Sequence, residues 1–372
     1  MRILHTSDLH LGRTFFGFDL SAAHTALAEH LVDVCAERHV DLLIIAGDVY
    51  DRAIPGPAAV AAFDTLLARL RQAGVAVLAT SGNHDSFMRL GFGRELFDDS
   101  GIHLRTRLAD LVRPALIGHS DAHVAVYGIP YLEPALVADR LGVPRTHAAV
   151  LERAMEIIHD DHSRNHPGTR LVVAAHAFVT GSGPSESERQ IDLGGVGSVP
   201  AATFASTAYT ALGHLHRPQD PLPTVRYSGS PLAFGFDEGP KRLLQIDVPP
   251  DGPAQVEAIA LPCFVSARAL TGTLAEVLGT PDDGSFVEVR LTDPARSPQA
   301  LPRLKQAFER LVRYEWTNLP TPTATAPTGS TQARTDTQVF IDFMRTTTGQ
   351  PATAEETALF DTALAQALRE DA

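Results

Sequence analysis

The chain has almost no cysteine: two in 372 residues, Cys35 and Cys263, far apart and each in an apolar setting. That excludes a disulfide framework, makes both read as buried small hydrophobes, and points to a reducing cytoplasm. No apolar run is long enough to span a bilayer, so no membrane segment is expected. The opening MRILHTSDLH has no apolar signal core and enters strand and motif directly, so no signal peptide is expected either. Positive charge is also in short supply: 31 Lys and Arg against 44 Asp and Glu, a formal net charge of −13. That sign counts against a nucleic-acid partner, because phosphate binding usually shows as a basic surface. Bound metal ions or a partner subunit would add positive charge that the count omits. A Walker-type phosphate loop is missing too. The Gly- and Ser-rich GSGPSESERQIDLGGVGSVP has no Lys of that kind, so the chain does not read as an ATPase and this stretch reads as a surface loop shaping a groove.

What is present is apolar mass and histidine. A hydrophobic content of 44% over 372 residues allows one large catalytic domain and one or two small modules. Residues 1–265 alternate apolar strand-like runs with helical spacing at 21–38, 57–73, 133–141 and 148–162. After Tyr227 the pattern turns to strands in VRYSGSPLAFGF, KRLLQIDV and AQVEAIAL. An α/β start with an all-strand finish predicts two packed sheets flanked by helices. Near Pro262 the chain leaves this domain. Residues 266–318 read as a small α+β module, with a strand in SFVEVRLTD and helices at Ala275 and over 301–314. Residues 319–336, rich in Thr, Pro, Ala and Gly, read as a flexible linker. Residues 337–372 read as two amphipathic helices, one face carrying Val339, Phe340, Phe343 and Met344, the other Leu359, Phe360, Leu364 and Leu368. Two short tethered helices cannot bury such faces alone, so the tail reads as a docking element for a partner helix or coiled coil.

Seven side chains suited to metal binding occur in fixed order: Asp8 and His10, Asp48, Asn83, His176, then His214 and His216. They lie in TSDLHLG, AGDVYDR, SGNHDS, AAHAFV and LGHLH. Each follows an apolar run, at 2–4, 41–46, 75–79, 171–175 and 208–212. Loops at the carboxyl edge of such strands are where open α/β sheets place their chemistry. Carboxylate, amide oxygen and imidazole together suit a divalent transition metal such as manganese, iron or zinc. Seven ligands exceed one ion, but two ions sharing a carboxylate use them all, and a metal pair clamps the oxygens of a phosphoester displacement. Asp48, in the central Gly-Asp turn, is the natural bridge. His84 follows Asn83, is not needed as a ligand, and is placed to protonate a leaving oxygen or to stabilise phosphoryl charge. Asp85 reads as a carboxylate orienting His84 or a ligand histidine. Asp51 and Arg52 are left outside the catalytic set.

The five blocks, D-x-H, G-D, G-N-H-D, H and G-H-x-H in order over residues 8 to 216, resemble the calcineurin-like metallophosphoesterase superfamily. That resemblance implies a four-layer α/β/β/α core. It implies one ion on Asp8, His10 and His216, another on Asn83, His176 and His214, Asp48 shared, a bridging hydroxide as nucleophile, and a catalytic role for His84. The metal motif alone fits phosphatases, cyclic-nucleotide phosphodiesterases, pyrophosphatases and nucleases. HTSDLHLGR, GDVYDRAIP, GHLHRPQ and YSGSPLAFGFDE are similar to the bacterial SbcD-type nucleases, closely over residues 1 to about 260 and more loosely beyond. This second resemblance implies a manganese-dependent exonuclease on duplex ends and endonuclease on single-stranded or hairpin DNA, serving break repair and recombination. It implies a DNA-capping role for 266–318 and docking of an SbcC-type ATPase coiled coil on 337–372. It also implies a homodimer through residues 57–73 and 87–97, with Phe63, Leu66, Leu67, Leu70, Phe92 and Leu96 at the interface. The alternatives are a small-molecule phosphodiesterase or phosphomonoesterase on the same core, which the acidic charge favours, and a DNA-end scaffold with a lapsed site, against which the complete ligand set argues.

Overall fold

The computed structural model describes residues 1–118, 124–188, 197–317 and 335–370, and the chain divides into two compact units, Met1–Ala267 and Arg268–Ala372. In the first unit the short aliphatic runs form strands. Arg2–Thr6, Leu42–Ala46, Ala76–Thr80 and Ile102–Arg105 lie parallel, while Arg242–Asp247 and Gln255–Ala260 extend the sheet antiparallel beyond Arg2–Thr6. A second six-stranded sheet runs in the order Gln219–Leu222, Val225–Tyr227, Tyr209–Gly213, Arg170–His176, Val124–Ile129 and Ala115–Ile117. Its four central strands are parallel and its two outer ones antiparallel.

Strand alternation sorts the side chains between layers. Leu42, Ile44 and Ile3 of one sheet meet Val126, Val172 and Ala211 of the other in a buried layer between the sheets. Leu43 and Ile45 point the opposite way and are equally buried, and the helices Ser21–Glu37 and Pro57–Gln72 turn Leu27, Leu31, Leu66 and Leu70 inward. On the far face of the second sheet, Tyr127 and Val173 pack with Val150, Leu151, Ala154 and Ile158 of the helix His147–Asn165. The result is the α/β/β/α architecture expected from the sequence. Polar bridges also cross between the sheets: the His5 ring lies 2.9 Å from the Tyr209 hydroxyl through Nδ1 and 3.1 Å from the Leu212 carbonyl through Nε2. Burial pushes its pKa down to about 3.

The second unit holds a three-stranded sheet of Ala267–Gly272, Phe286–Leu291 and Leu311–Trp316, with helices Leu274–Leu278 and Ala300–Ala307 packed on Val277, Val287, Leu304 and Phe308. The helix expected over 301–314 stops at Ala307. Phe308 turns extended, and the carboxylate of Asp282 takes the Glu309 N–H at 3.1 Å, a donor that a continued helix would use internally. Residues Leu311–Trp316 then pair in parallel with Phe286–Leu291. Further along, the helices Asp336–Thr348 and Ala354–Glu370 pair through stacked Phe340 and Phe360 rings, 4.3 Å between centroids. No residue of the first helix is buried, and Val339, Phe343 and Leu359 are exposed. The linker expected over 319–336 lies outside the described residues except for its last two, and so does the side chain of Leu368. No helix among the described residues is long and apolar enough to cross a membrane.

The expected dimer residues fall into two sets, with Leu67 half-buried between them. Phe63, Leu66 and Leu70 are core, because that face of Pro57–Gln72 covers the sheet. Phe92 and Leu96, in contrast, are more than four-fifths exposed, and Ile54, Val60, Phe87 and Met88 are exposed beside them in sequence.

Candidate metal centre

The carboxyl ends of the parallel strands in both sheets deliver the predicted residues. Arg2–Thr6 leads to Asp8 and His10, Leu42–Ala46 to Asp48, and Ala76–Thr80 to Asn83 and His84. Arg170–His176 ends on His176, and Tyr209–Gly213 leads to His214 and His216. The turns after the first two strands run side by side: Asp8 N–H donates to Gly47 O, His10 N–H to Asp48 O and Leu11 N–H to Val49 O, at 2.9–3.0 Å. Among the described residues six non-glycine positions have positive φ, and four of them are Asp8, His10, Asp48 and His214. Backbone held in that region concentrates where function dictates side-chain direction. Two glycines let the layers close. A methyl group on Gly213 would sit on the carbonyl oxygen of Ala46, and one on Gly82 would sit on the Asp48 carboxylate.

The donors converge. His10 Nε2 lies 3.1 Å from His216 Nε2 and 3.6 Å from an Asp48 oxygen. His176 donates from Nδ1 to Ala46 O at 3.0 Å, which leaves its Nε2 lone pair 2.9 Å from Asn83 Oδ1 and 3.5 Å from Asp48. Three overlapping groups, Asp8–His10–His216, His10–Asp48–His84 and Asp8–Asp48–His176, each bring their ligand atoms within 4.8 Å of one another. His214 stands apart from these groups. Its main-chain N–H holds both Asp8 oxygens at 3.1 Å, and its ring lies edge-on to His176 at 5.3 Å. Burial pushes Asp8 up to about 6 and, together with the charge of Asp85, Asp48 well above the carboxylate range. Burial likewise holds the His10, His176 and His214 rings below the imidazole range, so they are neutral with a lone pair free. Among the described residues the ionic neighbours of Asp8 and Asp48 within 4 Å are all histidines. Buried carboxylates and lone pairs facing each other without a cation are costly, and divalent ions fit that deficit.

Around this centre several residues hold the donors in place. Asp85 hydrogen-bonds no histidine ring among the described residues. It accepts the N–H groups of Val49, Tyr50 and Gly82 at 2.9–3.0 Å and so pins the Asp48 turn to the Asn83 turn. His84 Nδ1 lies 2.8 Å from the Asp51 carbonyl and its main-chain N–H donates to Asp48 at 2.9 Å. Arg52 is exposed. Phe234 lies edge-on to both His10 and His216, with Arg13 over its ring at 4.6 Å. The start of the Gly/Ser-rich stretch is more than a groove-shaping loop: Ser187 Oγ meets His216 Nδ1 at 2.6 Å and Glu188 accepts the His216 N–H at 2.6 Å. Behind them Glu238 and Lys241 form a buried ion pair. Burial alone would raise Glu238, but His216 and Lys241 outweigh it and hold it at about 2. Sequence reasoning passed over Ser187, Glu188 and Lys241. Phe234 and Glu238 sat unremarked inside YSGSPLAFGFDE.

Residues 1–218 match the family model described as calcineurin-like phosphoesterase. That match, more than half the chain, together with the fold and donor set, makes the chain a calcineurin-like metallophosphoesterase: an enzyme whose Asp and His groups are able to hold metal ions. The chain is 30% identical to the D subunit of the SbcCD nuclease of Bacillus subtilis (strain 168) over 339 residues, 82% of this chain and 83% of that one. It is 30% identical to the D subunit of the same nuclease from Escherichia coli (strain K12), over 74% and 72% of the two chains, and 31% identical to that of Staphylococcus saprophyticus over 64% and 62%. Within the superfamily it belongs to the SbcD-type family. Among solved structures, TT1561 of Thermus thermophilus aligns at a TM-score of 0.39 and 13% identity, over 65% of this chain and 93% of that one.

Proposed function

We propose that this chain is a two-manganese DNA nuclease subunit, exonucleolytic on duplex ends and endonucleolytic on single-stranded or hairpin DNA. The carrying observation is the convergence of Asp8, His10, Asp48, Asn83, His176 and His216 at the carboxyl edges of two sheets. In this reading Asp8, His10 and His216 hold one ion, Asn83, His176 and His214 the other, and Asp48 is shared. Bound there, a metal pair supplies Lewis acidity and brings a water's pKa toward neutrality. The protein's own groups do the rest. His84, anchored through Nδ1 to Asp51, offers Nε2 to the leaving oxygen. Burial lowers its pKa from the ordinary imidazole value, so the ring rests neutral with Nε2 bare, and once that nitrogen takes a proton it is a stronger acid than a free imidazolium. Phe234 packs edge-on against His10 and His216 and restricts their rings.

The reading of the whole assembly draws on relatives whose similarity runs beyond the 218 residues of the phosphoesterase match, over 339 residues in the Bacillus subtilis protein and 291 in that of Escherichia coli. Residues 266–318 are assigned as a cap on the DNA end. The paired helices within 337–372, with exposed Val339, Phe343 and Leu359, are assigned as the seat of an SbcC-type ATPase coiled coil. The exposed Ile54, Met88, Phe92 and Leu96 are assigned to a homodimer interface. Double-strand break repair and recombination are the processes served. Two unpaired cysteines, Cys35 buried as expected and Cys263 exposed against expectation, accord with a cytoplasmic setting.

The test is cleavage of end-labelled duplex and hairpin DNA with manganese, beside a generic phosphomonoester. DNA cleavage that vanishes in Asp48→Ala is expected. Efficient monoester hydrolysis with intact DNA would replace this reading with a small-molecule phosphoesterase, the alternative that a net charge of −13 favours.

A further inference from the structure

Behind His216, on the side away from the other donors, lies a buried polar chain that none of the roles above uses. Ser187 Oγ is 2.6 Å from His216 Nδ1. The same hydroxyl contacts Oε1 of Glu238, whose side chain is fully buried. A carboxylate can only accept, so the single hydroxyl proton goes to Glu238 and the oxygen's lone pair takes the His216 Nδ1–H. That assigns the tautomer: Nε2, 3.1 Å from His10 Nε2, keeps its lone pair for the metal side. Glu238 is held in turn by the Phe234 N–H at 3.1 Å and by the ammonium of Lys241. Lys241 also donates to His216 O and Ser230 Oγ, each at 2.9 Å. A buried carboxylate needs such a partner.

The choice of lysine here is informative. Of 31 basic residues only Lys241 and Lys305 are lysine; the rest are arginine. A compact ammonium can reach three acceptors at once in a closed space, where a planar guanidinium would not fit the same geometry. The backbone of His216 is gripped as well, by Glu188 at 2.6 Å. Ring, N–H and carbonyl of this one residue are therefore all fixed by groups outside the donor set.

We propose that Ser187, Glu238 and Lys241 are positioning residues that lock His216 as its Nδ1–H tautomer and aim Nε2 at the ion shared with Asp8 and His10. This rests on the metal reading of the site. The test is manganese titration of the full chain without substrate, followed by the spin-resonance signal of free Mn(II). Wild type is expected to bind in two steps. Ser187→Ala is expected to weaken one step by about 10–100-fold and leave the other within about threefold. Glu238→Gln is expected to weaken the same step, and Ser187→Thr, which restores the hydroxyl, to recover it. Removing one loop hydroxyl leaves the fold intact, and the metal-free melting curve of Ser187→Ala checks that. Two wild-type steps with Ser187→Ala unchanged would overturn this inference alone. Equal weakening of both steps, or a Thr variant no better than Ala, would overturn it too. A wild-type chain that binds no manganese would overturn the metal reading with it.

Discussion

Replacing His84 with alanine separates catalysis from metal holding more cleanly than any other change at the site. The bond from residue 84 to Asp48 is made by the main-chain N–H at 2.9 Å, so it survives the loss of the ring. Asp48 therefore keeps its orientation, and manganese affinity should stay within about threefold of wild type. What disappears is the imidazole aimed by the Asp51 carbonyl. A positioned proton donor contributes about 10²–10⁴-fold, or about 3–5 kcal/mol of barrier. DNA cleavage under saturating manganese should fall by that factor. Bis(p-nitrophenyl) phosphate has a leaving group that departs without a proton, so its hydrolysis should fall by less than about tenfold. Parallel initial-rate measurements on the two substrates, with metal binding measured on the same preparation, decide the matter. Equal losses on both substrates would refute the proton-donor role, and a near-normal rate on DNA would remove His84 from the mechanism.

Other perturbations probe the frame. Gly213→Ala drives a methyl group into the Ala46 carbonyl where the two sheets converge. Overpacking against backbone costs about 3 kcal/mol or more, so the melting temperature should drop by roughly 6–12 °C; a shift under a degree would contradict the close-approach account. His5 is neutral in the folded state, with its pKa pushed from 6.5 to about 3. Its contribution is whole above the unfolded pKa and is lost as pH falls from there toward the folded value. At pH 5 the loss is about 2 kcal/mol. His5→Gln should shrink the metal-free stability difference between pH 7.5 and 5 by that amount in denaturant titrations, and an unchanged difference would exclude His5 as a source. Phe92→Glu, at a position 81% exposed, should leave the fold intact and shift the particle to monomer in light scattering. A variant still dimeric would move the interface elsewhere.

The placement of the candidate donors was legible because each lies at or just past the end of a buried run, and Gly47, Gly82 and Gly213 mark three of the turns. The Leu42–Ala46 run ending in Gly47-Asp48 is the clearest case. Two packed sheets flanked by helices followed from an α/β start and an all-strand finish, and the four-layer order from the family resemblance. The Leu311–Trp316 strand was not legible, because Leu304, Phe308 and Leu311 keep helical spacing across the boundary. What ends the helix is a carboxylate at Asp282, 27 residues away. The groups behind His216 were hidden for a similar reason. Ser187 and Glu238 are separated by 51 residues and meet only in three dimensions. Asp85 was misassigned because sequence adjacency to His84 suggested a side-chain partner, while its actual partners are three backbone N–H groups.

The central claim is a pair of manganese ions sharing Asp48. Anomalous diffraction at the manganese edge from crystals grown with the metal tests it directly. The account predicts two peaks on either side of the Asp48 carboxylate, one among Asp8, His10 and His216 and one beside Asn83 and His176. A single peak, or density only at the surface, would contradict it.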